Sequence, residues 1–442
     1  MQPDRNSVPE AAAIKCLWIA RNIPYPADTG AKVYSAKLAE SLAITGVLVR
    51  FLGFGSHDSI PESASAVEWV AVNSARRSEI IALFSRLPNA AAIDATSAYR
   101  LLLEEQLREH WDAIVLDNYS AGWALDRCLA YCYSRQPRPV LAHVSHNHEA
   151  AAWHCMASQA QTSLPRRIVF WQNAMKVSTL EQRIVRSVDL LSAITEEDCA
   201  ALLAPLPRST AVPHNITLTP GFAGTIAAPR TIDNNTPRRV AIVGSFHWVM
   251  KQENLRRFVE SADASFARRG IQLDVIGDMP PELRAELQSR SSATHFHGFV
   301  DDPAILLAQA RMAIVPELIG GGFKLKFLDY LFARAPIATL AGAAAGLPQS
   351  LRGEMLVRDD VESLVAGIVA EIDDFETLNR RQRHAFDLAQ TLYRWEDRGR
   401  QLNQAIMQLH RHHRRPASPD AGALSAAENK VEYGRSRNFP GA

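Results

Sequence analysis

Two groups of residues in this sequence combine types and spacings that could do chemistry. The first follows a short apolar run, Met312 to Val315, and reads Pro316-Glu-Leu-Ile-Gly320-Gly321-Gly322-Phe-Lys324-Leu-Lys326-Phe-Leu-Asp329. Three consecutive glycines let backbone N–H groups approach a ligand, and a helix start behind them favours negative charge. The helical pattern that follows, ending at Ala335-Pro336, puts Gly322, Lys326 and Asp329 at i, i+4 and i+7, on one face. A cation and a carboxylate above a glycine loop suit a diphosphate and a ribose. Lys324 falls toward the opposite side and ranks lower. An ordinary crossover with a solvated Lys–Asp pair would give the same local pattern. The second group is Ser145-His146-Asn147-His148-Glu149, which ends an apolar run from Pro139 to Val144. Strand ends of open α/β sheets are where ligands bind. His146 could contact a substrate, and Glu149 could open the next helix or touch an acceptor. With His143 and His154 these histidines could equally be structural, or metal ligands, although no Asp or Cys completes a known spacing.

These residues need a scaffold, and the sequence outlines one. Apolar run, glycine turn, helix and second apolar run (Pro336 to Thr339) make a βαβ unit, the building block of parallel sheets. Further strand candidates are Lys15 to Ala20, Val47 to Gly53, Trp69 to Val72, Trp111 to Asp117, a run from Asp189, and Ala211 to Asn215. Thr195 caps the helix after the Asp189 run, with Asp198 at the capping-box place. A second series runs Arg239 to Phe246, Leu273 to Gly277 and Met355 to Asp359, with Gly244, Ser245 and Gly277 at strand ends. Helical patterns cover Ala31 to Thr45, Ser78 to Arg108, Arg166 to Arg186, Trp248 to Arg269 and Phe375 to His412. The Arg166 to Arg186 stretch mixes Ile168, Trp171, Met175, Leu180 and Ile184 with five basic residues. That mix is either a core-facing stripe with a solvated back or a basic face for anionic lipid.

At 442 residues the chain is long for one core, which points to two domains. A formal net charge of +1 excludes a global pull toward nucleic acid or membrane. Five cysteines without zinc spacing fit a reducing cytosol. Met1 to Ala13 lacks the apolar segment of a signal peptide, and no apolar run is long enough to span a bilayer. A cytoplasmic location follows as the expectation, with peripheral contact at the inner face of the membrane as an option.

The run from Pro316 through Gly346-Leu347 resembles the donor-site segment of the GT4 (group 1) retaining glycosyltransferases, with Pro316, Gly320, Gly322, Lys326, Asp329, Pro336 and Thr339 in matching places. It is most similar to the branch that carries G-x-G, lysine and an acidic residue. The resemblance extends over about residues 15 to 400. It includes the Pro24-x-Pro26 loop ending in Gly30, the His146-Asn147 segment, "D-x-x-x-A-x-T-x-x-D" from Asp189, Val212-Pro213 and the Gly298-Phe-Val-Asp301 turn.

The resemblance implies an α/β fold of GT-B type: two Rossmann-like domains facing across a cleft. The implied layout is a disordered N-terminus over 1–13, an acceptor-side domain over 14–215 and a linker over 216–237. A nucleotide-sugar-binding domain over 238–390 follows, then a terminal helix over 391–412 packed back on the first domain, and a disordered tail over 413–442. The implied reaction moves a sugar from a nucleoside diphosphate sugar to an acceptor hydroxyl with retention. The acceptor could be a saccharide, a lipid-linked species or a small molecule; neither a metal nor nucleic acid is involved. By the same resemblance His146, Lys326 and Lys251 are catalytic. Gly30, Gly244, Ser245, Gly277, Phe299, Val300, Gly320, Gly321, Gly322 and Asp329 bind the donor, and Glu149 lies on the acceptor side. A sugar-nucleotide epimerase on this fold and a non-catalytic partner subunit are the alternatives. A Rossmann dehydrogenase is disfavoured because no G-x-G-x-x-G follows the first strand of either half.

Overall fold

The computed structural model describes residues 13–159, 164–318 and 322–414. Gly320 and Gly321 lie outside the described residues, as do the segments 1–12 and 415–442. The first half builds β1 (Lys15–Asn22), β2 (Leu48–Phe54), β3 (Glu68–Val72), β4 (Ala113–Asp117), β5 (Val140–Val144), β6 (Leu190–Ala193) and β7 (His214–Thr217). They form one parallel sheet in the order β3-β2-β1-β4-β5-β6-β7. The second half builds β8 (Arg239–Val243), β9 (Gln272–Ile276), β10 (Thr294–Gly298), β11 (Met312–Val315), β12 (Ile337–Leu340) and β13 (Leu356–Arg358), ordered β10-β9-β8-β11-β12-β13. Both sheets are doubly wound and reverse strand order beside their first strand, which opens a crevice at the carboxyl ends. This is the two-domain GT-B architecture.

Strands buried on both faces explain why the apolar runs read so plainly. Along β1, Cys16, Trp18 and Ala20 enter one core while Leu17 and Ile19 enter the core on the other face, the period of two that a pleated strand imposes.

Several local expectations change. The helix carrying Lys326 and Asp329 spans Lys326–Phe332, so Gly322 precedes it. With φ at +72°, Gly322 belongs to a turn and cannot share a helical face with the other two. The stretch from Ser78 to Arg108 breaks into three helices, Glu79–Leu83, Asn89–Asp94 and Ser97–Gln106. Pro88 and the Thr96 side-chain cap set two of those boundaries. Strand β7 runs to Thr217, beyond Asn215, and Ile232 is buried in the second core.

The last two helices tie the halves together. Phe375–Leu392 packs Phe386 and Ala389 into the second domain, whereas Trp395–Arg414 buries Trp395, Leu402 and Ile406 in the first. That last helix crosses the helix Gly30–Ile44 so closely that a Cβ on Gly399 would lie 2.1 Å from the Ser41 carbonyl oxygen. The outgoing and returning crossings lie side by side. The Phe222 N–H donates to Tyr393 O (2.9 Å), and Arg398 Nε donates to Thr219 O (2.6 Å). A Cβ on Gly221 would meet the Trp395 nitrogen at 2.5 Å.

Candidate active site

The first half of the site grows from the ends of β4 and β5. Asp117, the last residue of β4, is buried, and its Oδ2 accepts from Trp18 Nε1 at 2.8 Å. Its Oδ1 lies 2.6 Å from His146 Nε2. Burial opposes the Asp117 charge, but His146, together with hydrogen bonds from His146, Trp18 and Ser35, holds the carboxyl below its ordinary value. An ionised Asp117 can only accept, so His146 donates through Nε2 and keeps Nδ1 for proton exchange. Burial alone would lower the His146 pKa; the Asp117 charge and hydrogen bond, with Glu149, outweigh it and raise it. Tyr34 presents its ring edge to the imidazole, with centroids 5.1 Å apart.

Glu149 opens the helix Glu149–Gln159, and its Oε1 accepts from Asn118 (3.3 Å) and Asn147 (3.4 Å). Burial raises its pKa, against the pull of those amides and His146. His143 turns away from this group: its Nδ1 lies 2.9 Å from Leu116 O, and burial brings it down to about 4. Among the described residues no group of three or more His, Cys, Asp or Glu side chains is placed to hold a metal.

The second half rests on glycines that let three loops crowd together. Gly277 follows β9 with φ +129°, and a Cβ there would lie 1.8 Å from Gly244 O, so only glycine fits. Gly244 in turn stands against Lys326, whose Nζ is 3.5 Å from the Cβ position of Gly244. Ser245, next to it, is exposed.

Lys326 Nζ pairs with Glu317 Oε1 at 2.5 Å, two residues beyond β11. Glu317 is buried, and its Oε2 has no hydrogen-bond partner among the described residues. Two more lysines belong to this cluster. The Lys251 pKa is lowered by burial and by Lys326, with Glu317 pulling the other way. The Lys324 pKa is also lowered by burial, Lys326 and Lys251, against Glu317 and Asp198. Lys324 Nζ donates to Gly322 O at 3.2 Å. Lys324 therefore belongs with Lys326 rather than opposite it. The helix starts only at Lys326, so helical spacing does not govern the pair.

Asp329 follows Lys326 by one turn. Its accessible area is that of an exposed residue, yet the surrounding walls are dense enough to lift its carboxyl to about 6, with Lys326 opposing. Phe299 is 75% exposed after β10, while Val300 packs partly into the second core.

The two halves meet. A Cβ on Gly322 would lie 2.2 Å from Asn147 Oδ1, placing the lysine turn beside the residue that follows His146. The Gly30 Cβ position, at the start of the helix Gly30–Ile44, lies 2.7 Å from Leu325 Cδ1, and that of Gly346 lies 2.9 Å from Thr195 Cγ2. A cavity of about 560 Å³ is lined by Thr29, Ser35, Asp117, His146 and Glu149 of the first domain, with Trp248 of the second. Reading the sequence missed Asp117, Glu317 and the full part of Lys324. Asp117 closes a strand that was identified, and a carboxylate at that end facing a histidine at the next was the available signal.

Residues 237–374 match the family model described as glycosyl transferases group 1. The matched residues lie within the second domain. Among solved structures, WaaG, a glycosyltransferase involved in lipopolysaccharide biosynthesis, aligns with a TM-score of 0.57 at 18% identity, covering 89% of this chain and 99% of that one. Anabaena HepE in complex with UDP and glucose aligns at 0.60 and 12%, covering 89% and 100%. TarM aligns at 0.64 and 8%, covering 89% and 98%. These likenesses establish the fold across both domains. No curated protein matches the chain in sequence. The matched residues include Lys251, Lys324, Lys326, Glu317 and Asp329; the pair Asp117–His146 comes from the domain outside them.

Proposed function

We propose that this chain transfers a sugar from a nucleoside diphosphate sugar to an acceptor hydroxyl, with retention at the anomeric carbon, in the assembly of a polysaccharide or glycoconjugate. One observation carries the reading: three lysines gather around Glu317 in the second domain, and the turn that leads to them abuts Asn147, the residue after His146 of the His146–Asp117 pair. In the transfer, the bond from the anomeric carbon to the donor oxygen breaks, and its electron pair leaves with the diphosphate. The acceptor oxygen bonds to that carbon and passes its proton to the departing diphosphate oxygen. Lys326, Lys251 and Lys324 neutralise the departing charge. A cation about 4 Å away in a partly desolvated site contributes on the order of 4 kcal/mol. Three lysines set against the one Glu317 carboxylate leave positive charge over for the diphosphate, so no metal is needed in this reading. Asp329 accepts from ribose hydroxyls, and His146 contacts the donor sugar. Glu149 faces the acceptor.

A screen of nucleoside diphosphate sugars by thermal shift tests the proposal. At least one is expected to stabilise the protein, and Lys326→Ala is expected to abolish that shift. An undiminished shift in the variant would remove Lys326 from the site; no stabiliser at all would favour a non-catalytic partner subunit. With a binder in hand, a labelled donor separates sugar transfer from epimerisation.

A further inference from the structure

The helices Glu79–Leu83 and Leu164–Ser187 adjoin on the first domain: Lys176 Nζ donates to Leu83 O at 2.7 Å, and the Asn89 N–H donates to Asn173 Oδ1 at 2.8 Å. One face of the long helix, with Val177, Leu180 and Ile184, enters the core. The opposite face carries Leu164, Ile168, Trp171 and Met175, spaced four, three and four apart, and they are 51–69% exposed. On the neighbouring short helix and its end, Ile80, Ile81 and Phe84 are 63–87% exposed. Single exposed apolar residues need no explanation, but a set spread over two adjoining helices marks a surface that something covers.

The charges around it say what. The segments 76–86 and 166–186 hold eight basic and two acidic residues, against a net charge of +1 for the whole chain. Of the two acids, Glu181 is buried and accepts the Glu149 and Ala150 N–H groups. Arg76 and Arg183 are engaged by Asp94 and Asp126, while Arg77, Arg86, Arg167 and Arg186 are exposed. Aliphatic and aromatic side chains ringed by arginines match a lipid surface, apolar groups at the acyl boundary and guanidinium groups on headgroup phosphates. Among the described residues no helix is long and apolar enough to cross a membrane, so the contact lies along the surface. The helix Glu149–Gln159, which lends Trp153 and Met156 to the cavity, packs as a hairpin on the long helix, so this face and the site share one element pair.

We propose that this two-helix face docks the first domain on an anionic lipid surface. It stands apart from the sugar-transfer reading. The test is flotation of the full chain with phosphatidylcholine vesicles, with and without phosphatidylglycerol. Two variants are compared: Ile168→Ser/Trp171→Ser/Met175→Ser and Arg77→Glu/Arg167→Glu/Arg186→Glu, each checked by its melting temperature. The wild type is expected to float with phosphatidylglycerol vesicles and to bind less without that lipid or in high salt. Each variant is expected to bind about tenfold more weakly or worse. If the apolar variant melts early, the charge variant decides. Absence of wild-type binding to anionic vesicles, or equal binding by the folded variants, would overturn the proposal. So would a wild-type dimer in light scattering that binds no vesicles and dissociates in the apolar variant; a second copy would then be the occupant.

Discussion

At the scale of single residues, the candidate site is a balance of charges that a ligand would reset. Asp329 titrates at about 6, with burial raising it and Lys326 lowering it. Above that pH its carboxylate can accept ribose hydroxyl bonds; below it the carboxyl is protonated and loses most of its accepting capacity. Donor affinity is therefore expected to fall as pH drops through about 6, and Asp329→Asn is expected to flatten that dependence while weakening binding at pH 8. Calorimetric titration across that range checks both; an unchanged profile in the variant would take Asp329 out of donor binding. Lys326 and Asp329 were legible from spacing behind glycines. Glu317 was not, because a lone acid two residues past an apolar run has no pattern, and its value lies in which lysine folds onto it. Asp117 was hidden for a similar reason. Its partner His146 is 29 residues away in sequence and meets it only through parallel pairing of β4 and β5.

At the scale of elements, strands were the easiest to read, since buried parallel strands are almost uninterrupted apolar runs. The turns that follow them were harder, and they shape the site. Gly277 shows why: its φ of +129° and the Gly244 carbonyl leave no room for a methyl group. Gly277→Ala is expected to cost about 3 kcal/mol, from a strained backbone and a displaced neighbouring loop. Because that loop adjoins Lys326, donor binding is expected to weaken as well. Urea unfolding with a parallel donor titration reads the two effects, and a variant as stable as the wild type would show that the loop yields. Helix faces were half legible. The sequence groups Ile168, Trp171, Met175, Leu180 and Ile184 as one set on this helix, but which of them are covered depends on neighbours, and Leu180 and Ile184, with Val177, take the core. Ile168, Trp171 and Met175 are left in solvent.

At the scale of the molecule, the helix Trp395–Arg414 decides whether the two domains behave as one. Burying Trp395, Leu402 and Ile406 stabilises by about 1.5–3 kcal/mol each, enough to couple the halves. Gly399→Ala tests this directly. Helix propensity alone favours alanine by about 1 kcal/mol, whereas the new methyl would meet the Ser41 carbonyl at 2.1 Å. The clash is expected to win, lowering the melting temperature and splitting a single calorimetric transition into two. A melting temperature equal to or above the wild type would show that the two helices separate at little cost.

The paired crossings at Phe222–Tyr393 and Thr219–Arg398 carry a mechanical implication. Two covalent strands bolted together at one edge act as an axle: the lobes can swing like the covers of a book, but they cannot slide past each other. The lysines and His146, held on opposite covers, would then return to the same alignment after every opening, whatever molecule has entered or left.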